Sequence, residues 1–203
     1  MRRLAIFGAG GHGRVVVATA RAAGWTVAEI WDDDPEALGR ELAGVRVTRP
    51  PEPGSTPPTP ALLALGDNRS RRRIAERYDG AGATLVHPRA TVDESVALGE
   101  GTVVFAGAVI QTGARIGRHV IVNTGALVDH DSVLGDFAHV APGAALAGET
   151  RVGEGALLGV GCRLLPRARV GRWATVGAGA VVVRSIADGV TAVGVPARER
   201  SGP

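Results

Sequence analysis

Aliphatic residues recur at every sixth position over about half of the chain. The run begins at Val86 and continues without a break to Val182. Two positions before each aliphatic residue stands a mostly small residue such as Ala108, and glycine is frequent directly after it, as at Gly117. A period of six fits neither the 3.6-residue repeat of an α-helix nor the two-residue repeat of a single strand. It predicts a parallel β-helix, in which three hexapeptides close one coil and the aliphatic side chains point inward.

A different pattern occupies the first eighty or so residues. The apolar stretch RRLAIF, a glycine turn, a helix beginning near Gly13 and the apolar stretch WTVAEIW read as a βαβ unit. Six prolines within residues 48–60 predict an exposed loop, because proline cannot donate to a sheet. ALLALGDN then predicts a buried strand, and RSRRRIAERYDGAG a short arginine-rich helix closed by glycine. We therefore expect a small Rossmann-like α/β domain over residues 1–83, the β-helix over 84–186 and a C-terminal tail over 187–203.

Composition narrows the classes of function. Aromatic residues make up 3% of the chain, which suits thin, regular layers of small aliphatic side chains. The single cysteine, Cys162, occupies a small-residue position of the repeat, so we interpret it as a packing residue. The chain has neither a run of about 18 apolar residues nor an apolar stretch of signal-peptide length, which predicts a cytoplasmic protein without a membrane partner. A net charge of +3 is too mild to indicate nucleic acid, but it suits small molecules that carry phosphates.

His130 is the most distinctive polar residue of the repeat region, because aspartates flank it on both sides. It follows the inward-pointing Val128 by two positions, which predicts a place at or near a turn between two faces. A solvated corner histidine is the ordinary interpretation. Asp131 can nevertheless hold one ring nitrogen and raise the basicity of the other. An imidazole with an ordinary pKa of about 6.5 is a suitable general base at pH 7.

A second candidate site lies near the beginning of the chain. Residues 8–13 read GAGGHG between a predicted strand and a predicted helix, and Asp32 follows Gly13 by nineteen residues. Backbone N–H groups at such a helix N-terminus bind a pyrophosphate. Taken alone, the pattern favours NAD, but a nucleotide-sugar also contains a pyrophosphate, and the predicted domain is too short for a full dinucleotide-binding fold. We interpret the arginines of the second predicted helix as a solvated face: Arg69, Arg71, Arg72 and Arg73.

Five strings spread over the whole chain resemble one family. They are IFGAGGHG, WDDD, LGDN, NTGALVDHDSVLGDFAHVAPGAALAG and VGVPAR. Together with the repeat, they are similar to the hexapeptide-repeat sugar acetyltransferases of the NeuD/PglD-like family, which includes sialic acid O-acetyltransferases and UDP-4-amino-sugar N-acetyltransferases. The resemblance implies a left-handed parallel β-helix, a homotrimer with active sites between neighbouring prisms, and direct acetyl transfer from acetyl-CoA without a metal.

The same resemblance implies roles for individual residues. His130 corresponds to the general base and Asp131 to its orienting partner. The residues implied to contact acetyl-CoA are His139, Gly148, Val160 and Ala178. The residues implied to bind a nucleotide-linked amino sugar are Gly10, Gly11, His12, Asp32, Asp33 and Gly66.

Three alternatives stay open at this point. A sugar O-acetyltransferase would use the same base on a hydroxyl group. A metalloenzyme of the γ-carbonic anhydrase kind would need three histidines around zinc, and the separations between His119, His130 and His139 do not match an eighteen-residue coil. The third alternative is a nicotinamide-dependent enzyme or a nucleotide sensor. The short first domain argues against the nicotinamide-dependent enzyme, and the His–Asp pair argues against the sensor. We expect an acetyl-CoA-dependent transferase that acts on the amino group of a nucleotide-linked sugar.

Overall fold

The computed structural model describes residues 2–56, 59–78 and 82–200. Its N-terminal lobe is a five-stranded sheet of order β3-β4-β2-β1-β5 with two helices. Strand β1 pairs in parallel with β2 and β5, the central strand β2 also pairs in parallel with β4, and β3 pairs antiparallel with β4. The elements are β1 (Arg2–Phe7), α1 (Gly11–Ala22), β2 (Trp25–Trp31), β3 (Glu41–Leu42), β4 (Val45–Thr48), β5 (Ala61–Leu63) and α2 (Asn68–Ala75).

Glycines allow the tight turn between β1 and α1. A Cβ on Gly13 would lie 2.2 Å from the carbonyl oxygen of Gly8, so no larger residue allows this close approach. The helix begins at Gly11, two residues earlier than the sequence predicts. Gly10, the residue before it, has the extended conformation of an N-cap. Helix α2 ends at Ala75, before the predicted closing glycine. Thr48, the first residue of the predicted loop, ends β4, and the residues described after it, 49–56, 59 and 60, contain neither helix nor strand, whereas residues 57 and 58 lie outside the described ranges.

The six-residue repeat produces a parallel β-solenoid, as the sequence predicts. Each strand has two residues, of which the second is the predicted aliphatic residue, and from Val104 onward all of these residues are buried. The strands are β6 (Leu85–Val86), β7 (Thr91–Val92), β8 (Ala97–Leu98), β9 (Val103–Val104), β10 (Val109–Ile110), β11 (Arg115–Ile116), β12 (Ile121–Val122), β13 (Leu127–Val128), β14 (Val133–Leu134), β15 (His139–Val140), β16 (Ala145–Leu146), β17 (Arg151–Val152), β18 (Leu157–Leu158), β19 (Arg163–Leu164), β20 (Arg169–Val170), β21 (Thr175–Val176) and β22 (Val181–Val182).

Successive coils stack in register, eighteen residues apart. Ile110 pairs with Val128, and Val128 pairs with Leu146. Because each strand pairs with the third strand after it, the chain visits three sheets in rotation, and these sheets form the three faces of a prism. The small residues of the repeat, Cys162 among them, lie buried in the same core. Burial raises the pKa of the Cys162 thiol to about 11, which agrees with a packing role.

The three faces differ in the first residue of each strand, which points outward. The covered face (β6, β9, β12, β15, β18 and β21) packs against the N-terminal lobe, where Val103, Phe105 and Ile121 join Leu4 and Val16 in one core cluster. The apolar face (β7, β10, β13, β16, β19 and β22) presents mostly aliphatic residues. The arginine face (β8, β11, β14, β17 and β20) presents exposed arginines at Arg115, Arg151 and Arg169.

The tail continues the covered face before it turns back. Strand β23 (Thr191–Val193) pairs in parallel with β21, and β24 (Arg198–Glu199) pairs antiparallel with β23. Residues 201–203 of the predicted tail lie outside the described residues. Within the described ranges, no helix is both long enough and apolar enough to cross a membrane.

Candidate active site on opposite edges of the prism

His130 lies at the edge between the apolar and arginine faces, in the turn that follows β13. The repeat places Asp131 at the left-handed position of this turn, with φ of 57°, so that both side chains point outward. His130 Nδ1 lies 2.9 Å from Asp131 Oδ2. Asp129 Oδ1 accepts the backbone N–H of His130 at 2.8 Å and thereby fixes the start of the turn. The turn predicted around His130 and its contact with Asp131 are therefore present.

The hydrogen bond to Asp131 determines the protonation chemistry of His130. An ionised aspartate can only accept hydrogen bonds, so Nδ1 of His130 carries the proton that it donates to Asp131, and Nε2 of the neutral ring keeps its lone pair. The same hydrogen bond raises the pKa of His130, with smaller contributions from the negative charges of Asp129 and Glu149. The ring is about half exposed, so a substrate can reach Nε2.

Gly148 lies one coil beyond His130 and makes room for the imidazole. A Cβ built on Gly148 would lie 2.4 Å from His130 Nε2. The ring therefore covers the Gly148 backbone, which is buried. Its N–H group has no acceptor in the part of the chain that the structure describes. A base and a free backbone donor thus stand side by side.

Val160 and Ala178, the other residues implied to contact acetyl-CoA, lie at a different edge. They are exposed in successive turns between the covered and apolar faces, and Gly179 N–H donates to the Val160 carbonyl at 2.8 Å. Between this edge and the edge of His130, the apolar face carries an open groove of about 610 Å³ lined by residues that include Leu127 and Leu165. Val160 and His130 thus lie at the two opposite edges of the apolar face that carries this groove.

The glycine loop of the N-terminal lobe has the features of an anion site. A Cβ on Gly10 or Gly11 would meet nothing within 4 Å, so both glycines border open space. Helix α1 has no side-chain cap and no acidic residue in its first turn, which leaves its N-terminal N–H groups available. His12 Nε2 is buried without a hydrogen-bond partner among the described residues. Burial, followed by the charge of Arg71, lowers the pKa of His12 to about 4.

The side chains of Asp32 and Asp33 make contacts within the N-terminal lobe. Asp32 Oδ2 accepts the Ala9 N–H at 2.7 Å, and Oδ1 accepts the Asp34 N–H at 3.0 Å, so its carboxylate holds the glycine loop against the end of β2. Asp33 forms an ion pair with Arg77 at 2.7 Å. Each carboxylate retains further lone pairs that these contacts do not use.

His139 lies on the covered face, against the lobe rather than beside His130. Its Nδ1–H donates to the Gly66 carbonyl at 3.2 Å, and its Nε2 accepts from Asn123 Nδ2 at 3.1 Å. Asn123 Oδ1 accepts the Thr124 N–H, which fixes the orientation of the amide. Burial, and then the charge of Arg71, lowers the pKa of His139 to about 4. His139, for which the resemblance implies a contact with acetyl-CoA, therefore groups within one chain with Gly66 and His12, which are implied to bind the acceptor; its ring centroid lies 6.4 Å from that of His12.

Two residues of this group were missed from the sequence. Asn123 begins the long prism string that resembles the family, yet nothing in that string indicates a contact with His139. The prediction that Arg71 belongs to a solvated helix face is wrong, because the residue is 1% exposed. Arg69, Arg72 and Arg73 are exposed, as predicted.

The two groups occupy opposite sides of one chain. The edge between the apolar and arginine faces is the one that does not border the covered face, and it carries His130 and Gly148. The lobe, with His12 and Gly66, packs on the covered face. One copy of the chain therefore does not bring the base to the glycine loop.

The histidines of the prism do not form a metal site. His119 stacks on Phe137 at 5.2 Å between ring centroids and is buried, whereas His130 is exposed at another edge. Across residues 2–56, 59–78 and 82–200, no three His, Cys, Asp or Glu side chains are arranged to hold a metal ion.

Comparison with known proteins finds similarity over the lobe and the prism. The family described as the PglD N-terminal domain matches residues 3–78. UDP-N-acetylbacillosamine N-acetyltransferase of Bacillus subtilis is 43% identical over 118 residues, which are 52% of this chain and 52% of that protein. The chain thus matches about half the length of this curated relative.

Two solved structures match over nearly their whole length. The acetyltransferase domain of PglB from Neisseria gonorrhoeae is 42% identical, with a TM-score of 0.89 over 98% of this chain and 100% of that one. Perosamine N-acetyltransferase from Caulobacter crescentus, solved as a histidine-to-asparagine variant with CoA and GDP-perosamine, is 41% identical. Its TM-score is 0.90, and the match covers 100% of this chain and 98% of that one.

Proposed function

Since the chain belongs to the PglD-like family of hexapeptide-repeat sugar acetyltransferases, we propose that it transfers the acetyl group of acetyl-CoA to the amino group of a nucleotide-linked amino sugar. The observation that carries this proposal is the contact of 2.9 Å between His130 and Asp131 beside the free N–H of Gly148. These groups supply a base and an oxyanion donor at one place. The structure of the relative with CoA and GDP-perosamine supports both proposed substrates, namely acetyl-CoA and a nucleotide-linked amino sugar.

The proposed chemistry is direct attack in a ternary complex. The acceptor's neutral amine attacks the thioester carbon, and His130 Nε2 takes the amine proton as the C–N bond forms. Asp131 stabilises the imidazolium that results. The Gly148 N–H donates to the oxyanion of the tetrahedral intermediate. The C–S bond then breaks, and His130 returns the proton to the departing CoA sulfur.

We also propose that the working site forms between chains of a homotrimer. The base and the glycine loop lie on opposite sides of one chain, so a second copy is needed to deliver an acceptor bound at Gly10 and Gly11 to His130. The exposed apolar face offers a surface for such contacts, with Leu127 46% exposed. The acceptor's phosphates would meet the N-terminus of α1, and His12 would contact the acceptor next to His139.

A turnover assay tests the activity. Acetyl-CoA is combined with UDP-, GDP- and dTDP-linked amino sugars, and thiol release is followed for the wild type and for His130→Ala. We expect turnover with at least one amino sugar and a kcat about 10²- to 10⁴-fold lower in the variant. The hydroxyl analogues of the same sugars serve as controls. Turnover of the hydroxyl compounds alone would replace the N-acetyltransferase proposal with an O-acetyltransferase.

Subunit complementation tests the shared site. His130→Ala and His139→Ala chains are produced separately and then together, and the mass of the wild-type assembly is measured by light scattering. A trimer would have three times the 20.7 kDa mass of the chain. We expect mixed assemblies to recover activity that neither parent has, because some sites combine two intact halves. No recovery in verified mixed assemblies would place the whole site within one chain.

A further inference from the structure

Arg71 is a buried cation at the junction between the lobe and the prism. All five of its N–H groups are directed at oxygen acceptors. Nε donates to the His119 carbonyl at 2.9 Å, and Nη2 donates to the Phe137 carbonyl at 2.7 Å, so the side chain joins two successive coils. Nη1 donates to the carbonyls of the loop that follows β5, at 2.8 Å to Leu65 and 3.4 Å to Gly66. The fifth contact, from Nη2, is with Asn68 Oδ1.

No carboxylate is among these five acceptors, which is unusual for a buried charge. Burial lowers the pKa of Arg71 to about 9, and the negative charge of Asp67 partly opposes that effect. Carbonyl dipoles therefore stabilise the guanidinium in place of a counter-ion. A neutral side chain here would leave several buried carbonyls without donors. The carbonyl acceptors around the side chain, and not the shape of its site, therefore favour a cation at this position.

The loop that Arg71 holds is the loop that His139 contacts. The Gly66 carbonyl accepts from both Arg71 Nη1 and His139 Nδ1. The positive charge of Arg71 also opposes protonation of His139 and of His12. A neutral His139 keeps Nε2 as the acceptor for Asn123. The same guanidinium thus positions the Gly66 loop and adds to the effect of burial on the protonation of both histidines.

We infer that Arg71 is a positioning residue for the acceptor site, which clamps the Gly66 loop onto the prism and keeps His139 neutral in one tautomer. This inference rests on the proposed function. Arg71 makes two separable contributions: its five-donor fork fixes geometry, and its charge adds to burial in opposing protonation of His139. Lysine keeps the charge but cannot reproduce the fork. Methionine removes both.

The experiment compares Arg71→Lys, Arg71→Met and the control Arg73→Met, which changes an exposed arginine of the same helix. KM is measured separately for the acceptor and for acetyl-CoA, together with the pH profile of kcat/KM for the acceptor. The titration of His139 is followed by imidazole NMR in the absence of substrate, which is practical because the chain has five histidines. The charged and titratable groups near this ring are Arg71 and His12.

We expect Arg71→Lys to raise the acceptor KM about tenfold or more, because charged hydrogen bonds are lost, with the KM for acetyl-CoA within about twofold. The His139 titration should stay at low pH in Arg71→Lys and move to higher pH in Arg71→Met. The acid limb of the pH profile of kcat/KM for the acceptor should move in the same direction as the His139 titration. Arg73→Met should match the wild type in each measurement.

An unchanged His139 titration in folded Arg71→Met would overturn the inference, and so would equal changes in both KM values. Should Arg71→Met fail to fold, an unchanged acceptor KM in Arg71→Lys would overturn it as well. The NMR titration needs no turnover. A wild type without activity on any amino sugar would therefore refute the proposed function while the role of Arg71 is still tested.

Discussion

Replacing Gly148 by alanine changes the position of one side chain and little else. Gly148 does not adopt a left-handed φ, so its backbone accepts alanine without strain. The added Cβ would lie 2.4 Å from His130 Nε2 and 2.6 Å from Cε1. Ordinary carbon contacts need about 3.5 Å, so the ring must move by about 1 Å or rotate away from Asp131.

The consequence for stability is small and the consequence for rate is large. The imidazole is about half exposed and can swing into solvent, so we expect a change of about 0.5 kcal/mol or less in the free energy of unfolding. A displacement of about 1 Å at a general base costs about 10²-fold in kcat. That loss corresponds to about 2.7 kcal/mol of transition-state stabilisation. Alanine keeps the backbone N–H, so the oxyanion donor is retained.

The assay measures kcat with saturating acetyl-CoA and amino sugar, together with the midpoint of thermal unfolding. A double-mutant cycle supplies the control, because Gly148→Ala should have no further effect on kcat once His130 has been replaced by alanine. If Gly148→Ala alone keeps kcat within about twofold of the wild type, the imidazole does not act from the position described above.

Asp131→Asn replaces the carboxylate whose hydrogen bond raises the pKa of His130 by a neutral amide, so the acid limb of the kcat/KM profile should move to lower pH. The plateau should fall roughly 10- to 100-fold. A limb that stays in place would contradict the assignment of His130 as base. Gly155→Ala would place its Cβ 2.3 Å from the Trp173 ring at φ of 64°, whereas the control Gly125→Ala meets nothing at φ of 65°. Urea unfolding should show a loss of about 1 kcal/mol for Gly125→Ala and a larger one for Gly155→Ala, and equal losses would refute the ring contact. His119 is buried, His12 and His139 are half-buried, and the pKa of each falls to about 4, so these rings bind fewer protons in the folded chain than in the unfolded one. Stability in urea should therefore be retained above pH 6.5 and decrease from there towards pH 4, by at most about 1.4 kcal/mol per histidine per pH unit. A flat profile would argue against these lowered pKa values.

Local pattern was enough to predict much of the fold. The six-residue period determines the pairing, because any residue of one coil meets the residue eighteen positions later whatever the remainder of the chain does. The contact between His130 and Asp131 was equally accessible, since the two residues are adjacent in one turn. The room that Gly148 makes for the imidazole follows from the same eighteen-residue spacing.

The sequence by itself thus determined the repeating core and the residues of each turn, because these depend on neighbours along the chain or one coil away. Tertiary structure alone decided the surroundings of Arg71, whose acceptors include carbonyls 48 and 66 residues away, and of His139, whose partner Gly66 is 73 residues away. The burial of this charged residue depends on distant carbonyls that converge on it, and the hydrophobic periodicity of the sequence does not predict such a convergence. The separation of His130 from the glycine loop has the same origin, because it depends on which of the three faces the lobe covers.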